Sequence, residues 1–406
     1  MGGEPLRPIK KLIQLEEALA CAMARAEPVT RTERMGLLEA AGRVAAEDIR
    51  SSISVPQFSR SAMDGYALKA RDTYGASKLK PIKLRQLETV YAGSVPKRTI
   101  AKGQCSEVAT GAMLPKGADA VVMVEDSERD RDIILIYDSV HPGKNVSMKA
   151  EDISPGTKIV SKGDVINASK IGALAAVGRA SVKVFAKPLV AVVPTGNEIV
   201  ELSERLGPGQ VYNINGYTLA SVVRANGGEA RVTGIVNDAI DDLRRIVSAN
   251  ADCDMLVFSG GSSVGTRDVI LDVIERDGKV LFHGIAVKPG KPTIFGVVGK
   301  QLVFGMPGYP TSCLSNAYIL MAPVLRRLAR LPPQPPASIK ARMAKRIVST
   351  TGRAQFLTVR LEGDIAHPAF KESGAITSMA FADGYIMIPS DVDLIEKDDE
   401  VTVYLL

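Results

Sequence analysis

Apolar side chains recur with the spacing of an amphipathic helix at three places in the first half of the chain. The first is residues 12–26, and the second is residues 35–46, which follow a capping box at Thr30-Arg-Thr-Glu33. The third is residues 168–177, which Gly178 would end. We therefore expect helices in these three segments.

Residues 51–143 have a different pattern, in which short apolar stretches are separated by Gly, Pro and Asp. Residues 120–124 and 133–137 are examples, and this pattern is typical of strands joined by turns. Because helical patterns flank the segment on both sides, we interpret it as a β-rich domain inserted into a helical one.

Residues 188–330 alternate between strand-like and helix-like patterns, which predicts a largely parallel sheet covered by helices on both faces. The predicted strands are residues 189–193, 232–236, 255–258, 280–286, 293–298 and 302–304. The predicted helices are residues 215–225, capped by Asn215, residues 238–249, residues 266–276, and a longer one that begins near Pro310.

A proline-rich segment at residues 332–336 predicts a stiff linker, and β-type stretches follow it to the end of the sequence. The predicted fold is therefore multi-domain α/β, with a three-layer α/β domain, a helical domain, an inserted β-rich domain and a C-terminal β-barrel-like domain. The predicted boundaries are 1–50 with 144–186 for the helical, elongated domain, 51–143 for the insertion, 187–331 for the α/β domain and 332–406 for the C-terminal domain.

The composition of the 406 residues, 46% hydrophobic and 24% charged, is that of a soluble globular protein with more than one domain. No apolar run is long enough to cross a bilayer, and the first residues lack the apolar core of a signal peptide. We therefore expect a cytoplasmic protein without a membrane partner.

The net charge of +6 is modest for this length, and the sequence contains no tryptophan and only 5% aromatic residues. Nucleic acid is therefore not an expected partner, because stacking platforms are scarce. The three histidines and four cysteines show no zinc-binding spacing. We expect buried thiols at Cys21, Cys105, Cys253 and Cys313.

Five Gly- and Pro-rich loops follow predicted strands of the α/β domain, at the edge where open parallel sheets bind ligands. Together they contain the carboxylates of Glu198, Asp238 and Asp268 and the lysines Lys288 and Lys291. This combination predicts a site for an anionic, phosphorylated ligand with a hard metal ion. The loops are residues 194–198, 237–238, 259–268, 288–292 and 307–310.

Each of these features also has a simpler explanation when it is considered alone. Asp268 and Asp238 could stabilise helix N-termini, and Glu198 could be an exposed loop acid. The glycines of residues 260–265 have the spacing of a phosphate-binding loop, but Thr266-Arg267 replaces the Lys-Ser/Thr pair of a nucleoside triphosphatase. Asp64-Gly65 and the glycine-rich residues 109–119 could be turns, and His283 a satisfied core histidine.

The motifs together closely resemble those of the molybdopterin molybdenumtransferases, which include the MoeA proteins and the E domain of gephyrin. The resemblance covers nearly the whole chain and keeps the order of the motifs. They are Ser61-Ala-Met-Asp-Gly-Tyr66, Thr110-Gly-Ala112, Pro115-Lys-Gly-Ala-Asp119, Glu151-Asp-Ile153, Thr195-Gly-Asn-Glu198, Ser259-Gly-Gly-Ser-Ser-Val-Gly265, Lys288-Pro-Gly-Lys-Pro292 and Pro307-Gly-Tyr-Pro310.

The resemblance implies a homodimer whose site lies between the α/β domain of one subunit and the inserted domain of the other. It adds Asp64 and Asp152 to Glu198, Asp238 and Asp268 as the catalytic acids, with Asp238 and Asp268 as the predicted metal ligands. The predicted substrate-binding residues are Thr110, Thr195, Gly260, Gly261, Ser262, Ser263, Gly265, Lys288, Lys291, Pro307 and Pro310. The sequence departs from many family members at Asn197 and Tyr309, and from some at His283.

The implied reaction inserts molybdenum or tungsten from its oxyanion into adenylylated molybdopterin, with Mg²⁺ as cofactor and release of AMP. Contact with other cofactor-assembly enzymes is also implied. Two alternatives remain: an adenylyltransferase that attaches AMP to the pterin, and a non-catalytic pterin-binding scaffold. The inserted and C-terminal domains favour the transferase over the first, and the intact acidic set favours it over the second.

Overall fold

The computed structural model describes residues 11–260 and 269–406, which divide into two compact units. One unit is residues 34–184, and the other combines residues up to 33 with residues 185–406. This division is coarser than the four predicted domains, whose boundaries stay a prediction. None of the described helices has the length and hydrophobicity needed to cross a membrane.

The helices are numbered in chain order, and a π-helical turn at Ala317–Met321 joins the sixth to the seventh. They are α1 (Leu15–Arg25), α2 (Ala168–Ala176), α3 (Ile214–Ala225), α4 (Ile240–Ala249), α5 (Val269–Asp277), α6 (Pro310–Asn316), α7 (Ala322–Leu328) and α8 (Thr377–Ala380). Short 3-10 turns occur at Ala70–Thr73 and Val124–Asp126.

Most strands of the first half of the chain are short. They are β1 (Thr32–Gly36), β2 (Ile49–Arg50), β3 (Arg60–Ser61), β4 (Gly65–Leu68), β5 (Ile82–Val90), β6 (Gln104–Val108), β7 (Ala120–Met123), β8 (Ser127–Asp130), β9 (Ile133–Ile136), β10 (Val146–Ser147), β11 (Lys158–Val160) and β12 (Ser181–Phe185). Six of them form the main sheet of the first unit, in the order β7-β4-β6-β5-β9-β8, which confirms a β-rich segment here.

The predicted helix at residues 35–46 is wrong. Thr32–Gly36 is a strand, and the backbone N–H groups of Gly42 and Ala45 donate to the carbonyls of Ile166 and Asp164. Gly42 adopts a φ of 74°, a left-handed conformation that ends any local helix. The apolar positions instead fill an irregular core, so tertiary pairing overrides the local capping signal.

The second unit contains the predicted α/β layer and the C-terminal β region. Its strands are β13 (Leu189–Pro194), β14 (Ile199–Val200), β15 (Val211–Tyr212), β16 (Glu229–Val232), β17 (Met255–Ser259), β18 (Lys279–His283), β19 (Val287–Lys288), β20 (Ile294–Val298), β21 (Gln301–Met306), β22 (Ser338–Met343), β23 (Ile347–Val348), β24 (Ala354–Glu362), β25 (Ile365–Pro368), β26 (Gly384–Ile388), β27 (Leu394–Ile395) and β28 (Glu400–Leu405).

The central sheet has the order β16-β13-β17-β21-β20-β18, and its first four strands are mutually parallel. Strand β20 runs antiparallel to both neighbours, so β18 points in the same direction as the parallel four. Alternate residues of β13 point to opposite faces: Val190 and Val192 pack with helices α3 and α7, and Ala191 and Val193 with α4 and α5. The three-layer prediction is confirmed.

The C-terminal strands close into a barrel in the order β24-β25-β22-β28-β26, because β26 also pairs with β24. Short strand β19 pairs in parallel with β24, so that Lys288 lies opposite Gln355. This pairing joins the loop after β18 to the barrel. The predicted β-barrel-like domain is therefore confirmed, and it also supplies neighbours to residues 288–292, the lysine loop.

Candidate functional site

Three parallel strands end at the same level and bring their following residues to one rim. Pro194, Ser259 and Met306 are register neighbours at the ends of β13, β17 and β21. Beyond them, the Thr195 N–H donates to the Ser259 carbonyl at 3.0 Å, and the Gly260 N–H donates to the Met306 carbonyl at 3.3 Å. The sequence-predicted rim is thus formed by the parallel register itself.

A cavity of about 1160 Å³ opens at this rim. Its lining includes all of the predicted site residues of the second unit that the structure describes. These are Thr195, Glu198, Asp238, Gly260, Lys288, Lys291, Pro307 and Pro310. Residues 194–331 thus supply most of one wall, as the sequence predicts.

The backbone segments at the rim pack too closely for side chains at certain positions. Gly260 adopts a φ of 112°, and a Cβ atom there would lie only 2.1 Å from the Thr195 carbonyl oxygen. Across the rim, a Cβ on Gly308 would lie 3.6 Å from the Gly260 Cα. Glycine at position 260 therefore allows the loops after β13, β17 and β21 to meet.

Glu198 and Asp238 are the two predicted acidic residues of the cavity that the structure describes, and both are exposed to solvent. The loop of Asp238 is attached to that of Thr195, because the Val236 N–H donates to the Pro194 carbonyl and the Gly196 N–H to the Val236 carbonyl. The Glu198 carboxylate folds over Gly196, where a Cβ would lie 2.8 and 2.9 Å from its oxygens. Two carboxylates therefore face one part of the cavity.

The pKa of Asp238 is raised above its usual value, chiefly because partial desolvation by its surroundings disfavours the charged carboxylate, although the residue as a whole is exposed to solvent. The negative charge of Glu198 raises this pKa further, whereas the nearby Thr195 hydroxyl lowers it. The Thr195 Oγ1 is buried without a hydrogen-bond partner of normal geometry among the described residues. A bound cation would reduce the carboxylate repulsion, and a ligand that hydrogen-bonds to Thr195 Oγ1 would give this hydroxyl a better partner than its contact with Asp238.

Buried polar side chains hydrogen-bond to the backbone of the lysine loop. Asn316, fully buried on α6, donates through Nδ2 to the Gly290 carbonyl at 2.9 Å and to Thr293 Oγ1 at 2.6 Å. Thr293 Oγ1 itself donates to the Gly290 carbonyl. Lys288 reaches the Thr350 hydroxyl at 3.3 Å, and Lys291 lines the same cavity. The loop therefore presents two cations from a fixed backbone.

Two contributions to the cavity were not predicted from the sequence. Asn215 lies inside α3, whose N-cap is Asn213, and its Nδ2 donates to the Gly308 carbonyl at 2.8 Å. The barrel loop at residues 370–374 forms a second wall through Phe370, Glu372, Ser373 and Gly374. The turn residues Ser373-Gly374 are the sole signal for this loop in the sequence.

Several simpler explanations from the sequence do not hold. Asp238 does not cap α4, whose N-cap position is Ala239 without a side-chain cap. Asp64-Gly65 is not a hairpin turn, because Gly65 begins β4, and a Cβ there would lie 1.9 Å from the Val122 carbonyl oxygen.

The strand predicted at residues 232–236 lies instead at Glu229–Val232, at the exposed edge of the sheet. Apolar residues are a weak indicator of strand position at such an edge.

The remaining predicted residues fall into two groups. Asp64, Thr110 and Asp152 belong to the unit of residues 34–184, where the Asp64 carboxylate accepts the Thr110 N–H at 2.8 Å and Asp152 is exposed. Gly261, Ser262, Ser263, Gly265 and Asp268 lie outside the described residues. His283, at the end of β18, is half-buried, and burial lowers its pKa.

Comparison with known proteins matches almost the entire chain. Residues 13–178 match the MoeA N-terminal region (domain I and II), residues 191–327 a probable molybdopterin binding domain, and residues 340–406 the MoeA C-terminal region (domain IV). The solved MoeA molybdopterin biosynthesis protein from Pyrococcus horikosii is 43% identical, with a TM-score of 0.85 over 97% of this chain and 99% of that one.

Two curated relatives also match most of the chain. A putative molybdopterin biosynthesis protein of Methanocaldococcus jannaschii is 33% identical over 93% of this chain and 92% of its own length. The molybdopterin molybdenumtransferase of Staphylococcus epidermidis is 30% identical over 93% of this chain and 91% of its own length. Together with the sheet-end cavity, these matches define an enzyme of molybdenum-cofactor biosynthesis. The chain belongs to the MoeA family of molybdopterin molybdenumtransferases.

Proposed function

We propose that this transferase inserts molybdenum or tungsten, supplied as the oxyanion, into adenylylated molybdopterin and releases AMP. The observation that supports this most directly is the presence of Glu198, Asp238, Lys288 and Lys291 in one cavity of about 1160 Å³. Such a cavity has room for a nucleotide-linked ligand and offers both cationic and acidic groups to it. The substrate named in the Staphylococcus epidermidis relative, molybdopterin, is chemically compatible with this lining.

Mg²⁺ is the proposed cofactor, and Glu198 and Asp238 are the described carboxylates that would hold it. Within residues 11–260 and 269–406, no three acidic, histidine or cysteine side chains form a metal-binding group. A pair of carboxylates nevertheless fits Mg²⁺, which usually keeps several waters and takes its other ligands from substrate phosphates. When bound, the ion would neutralise negative charge on the phosphoanhydride. Asp268 remains a predicted ligand.

The protein's own groups have separate tasks in this proposal. Lys288 and Lys291, on a loop fixed by Asn316, bind the phosphate or molybdate oxygens and stabilise their charge. A water molecule attacks a phosphorus of the anhydride, so that the P–O bond breaks and AMP and the pterin monophosphate are formed. The two dithiolene thiols bind the metal, and one oxygen of the oxyanion leaves as water with the two thiol protons. Because its pKa is raised, Asp238 loses its negative charge at a higher pH than an ordinary aspartate does as the solution is acidified. A homodimer, contact with other cofactor-assembly enzymes, cytoplasmic location and the roles of Asp64, Asp152 and Thr110 remain predictions.

The test compares Asp238→Asn with Asp241→Asn in AMP release from adenylylated molybdopterin with Mg²⁺ and molybdate. Asp241 lies in the first turn of α4, three residues further along the chain, and does not line the cavity. We expect the Asp238 variant to lose about 100-fold or more in rate, and the Asp241 variant to keep it. Equal rates for the two variants, with both proteins folded by circular dichroism, would contradict the assigned role of the cavity.

A further inference from the structure

Tyr309 is an exposed aromatic residue that lines the cavity. Core rings pair with one another, as Phe356 and Tyr385 do in a stacked contact with centroids 4.1 Å apart. Tyr309 has no such ring contact among the described residues, and 66% of its surface is exposed although it lines the cavity. The Tyr309 ring therefore has no stacking partner in the described protein, and a planar ligand in the cavity could provide one.

The backbone around Tyr309 is held on both sides. On one side, Asn215 donates to the carbonyl of Gly308. On the other, fully buried Thr311 donates through its N–H to the Ser373 carbonyl and through Oγ1 to the Ala375 carbonyl, both at 3.1 Å. The ring therefore projects from a preorganised turn, and ordering it on ligand binding costs little backbone entropy.

The neighbouring barrel loop leaves the ring uncovered. A Cβ atom built on Gly374 would lie 3.7 Å from Cδ1 and 3.9 Å from Cε1 of Tyr309, in ordinary van der Waals contact. Because residue 374 is glycine, no side chain from that position occupies this space. Pro307, Pro310 and Phe370 line the cavity nearby and provide an apolar border for a flat ring.

We propose that Tyr309 is a positioning residue that stacks on a planar heteroaromatic ring of the substrate. This inference rests on the proposed function, which supplies two such rings, the pterin and the adenine. Stacking on a fixed tyrosine would hold one ring while the lysines and carboxylates of the same cavity bind the phosphate groups. The role differs from that of Pro307 and Pro310, which can only border a ring.

The experiment measures binding of metal-free molybdopterin and of AMP separately, to wild type, Tyr309→Leu and Tyr309→Phe. The leucine variant removes the ring at similar bulk, and we expect it to weaken binding of one of the two ligands by about 3- to 10-fold. The phenylalanine variant keeps the ring and should restore most of that affinity. The ligand whose affinity changes identifies the stacked ring.

Phe381→Leu is the matched control, because Phe381 is 64% exposed but does not line the cavity. Pterin fluorescence gives a second readout: the protein contains no tryptophan, so the difference in quenching between wild type and Tyr309→Leu measures the contribution of the Tyr309 ring. If the pterin is the stacked ring, the leucine variant should quench less than wild type at saturation. AMP release should show a raised KM with a smaller change in kcat.

The outcomes separate the two proposals. If wild type releases AMP but Tyr309→Leu binds both ligands as tightly as wild type, stacking is overturned and the proposed function stands. If wild type binds neither ligand and releases no AMP, the proposed function fails and the stacking role fails with it. Equal losses in the leucine and phenylalanine variants would also overturn stacking, because the ring would then be irrelevant.

Discussion

Replacing Gly260 with alanine perturbs the point where the rim loops meet. The new Cβ would lie 2.1 Å from the Thr195 carbonyl oxygen, although real Cβ atoms essentially never approach closer than 3.0 Å. The contact is with backbone, so no side-chain rotation can relieve it. One of the two loops must therefore move by roughly 1 Å, and a displacement of that size at a reacting centre can reduce the rate by about 100-fold.

Gly260→Ala should also lower stability, because its φ of 112° is rarely adopted by residues with side chains. Strain of this kind costs about 1–3 kcal/mol. Gly299→Ala is a suitable control, since Gly299 also has a positive φ, 59°, but a Cβ there would meet nothing within 4 Å. It should lose some stability and keep its activity, because Gly299 lies outside the cavity.

The assay is kcat/KM for AMP release, with the thermal midpoint measured on the same samples. We expect Gly260→Ala to lose about 100-fold in kcat/KM and Gly299→Ala to remain near wild type. The close approach of the two loops at Gly260 would be contradicted if Gly260→Ala retained wild-type kcat/KM and its midpoint fell no further than that of Gly299→Ala. The loops would then have room that the structure does not show.

Two further predictions concern the charged groups and their support. The pKa of Asp238 is raised, so its carboxyl group takes up a proton at a higher pH than an ordinary aspartate does. Glu198→Gln should lower this pKa, because it removes a neighbouring negative charge. Carboxyl NMR titration of both proteins measures the change, and an unchanged or higher pKa in the variant would contradict it. Asn316→Ala should cost about 1–3 kcal/mol, because it leaves the buried Thr293 hydroxyl and Gly290 carbonyl with fewer partners, and it should raise the KM for molybdate. Thermal unfolding tests the loss of stability and steady-state kinetics tests the KM, with Asn226→Ala as a control outside the cavity. An unchanged KM for molybdate would show that the lysine loop does not depend on Asn316.

The central sheet was predictable because its middle strands are buried on both faces. Strands β13, β17 and β21 are almost continuous apolar runs, and helices cover both sides, so the sequence pattern and the packing agree. The grouping of the candidate residues followed from topology, since loops after parallel strands share one rim, whereas their roles stay a prediction. Glu198, Asp238, Lys288 and Lys291 therefore converge although up to 93 positions separate them.

The errors occurred where long-range pairing overrides local signals. The residues of the capping box at 30–33 lead into strand β1, and the segment after it pairs with backbone near residue 165. The sequence predicted Asn215 as a helix cap, but the helix begins at Ile214. The side-chain amide of Asn215 instead donates to the Gly308 carbonyl. The barrel loop at residues 370–374 joins the cavity through Thr311 and the β19–β24 pairing, and no local pattern reports such contacts.

The proposed function depends on the coupling of AMP release to oxyanion binding in this cavity. Its most direct test is AMP release by the purified protein given adenylylated molybdopterin and Mg²⁺, with and without molybdate or tungstate. We expect release that depends on the oxyanion, and the preferred anion would identify the metal. Tight pterin binding without any release, or release at the same rate without oxyanion, would contradict it.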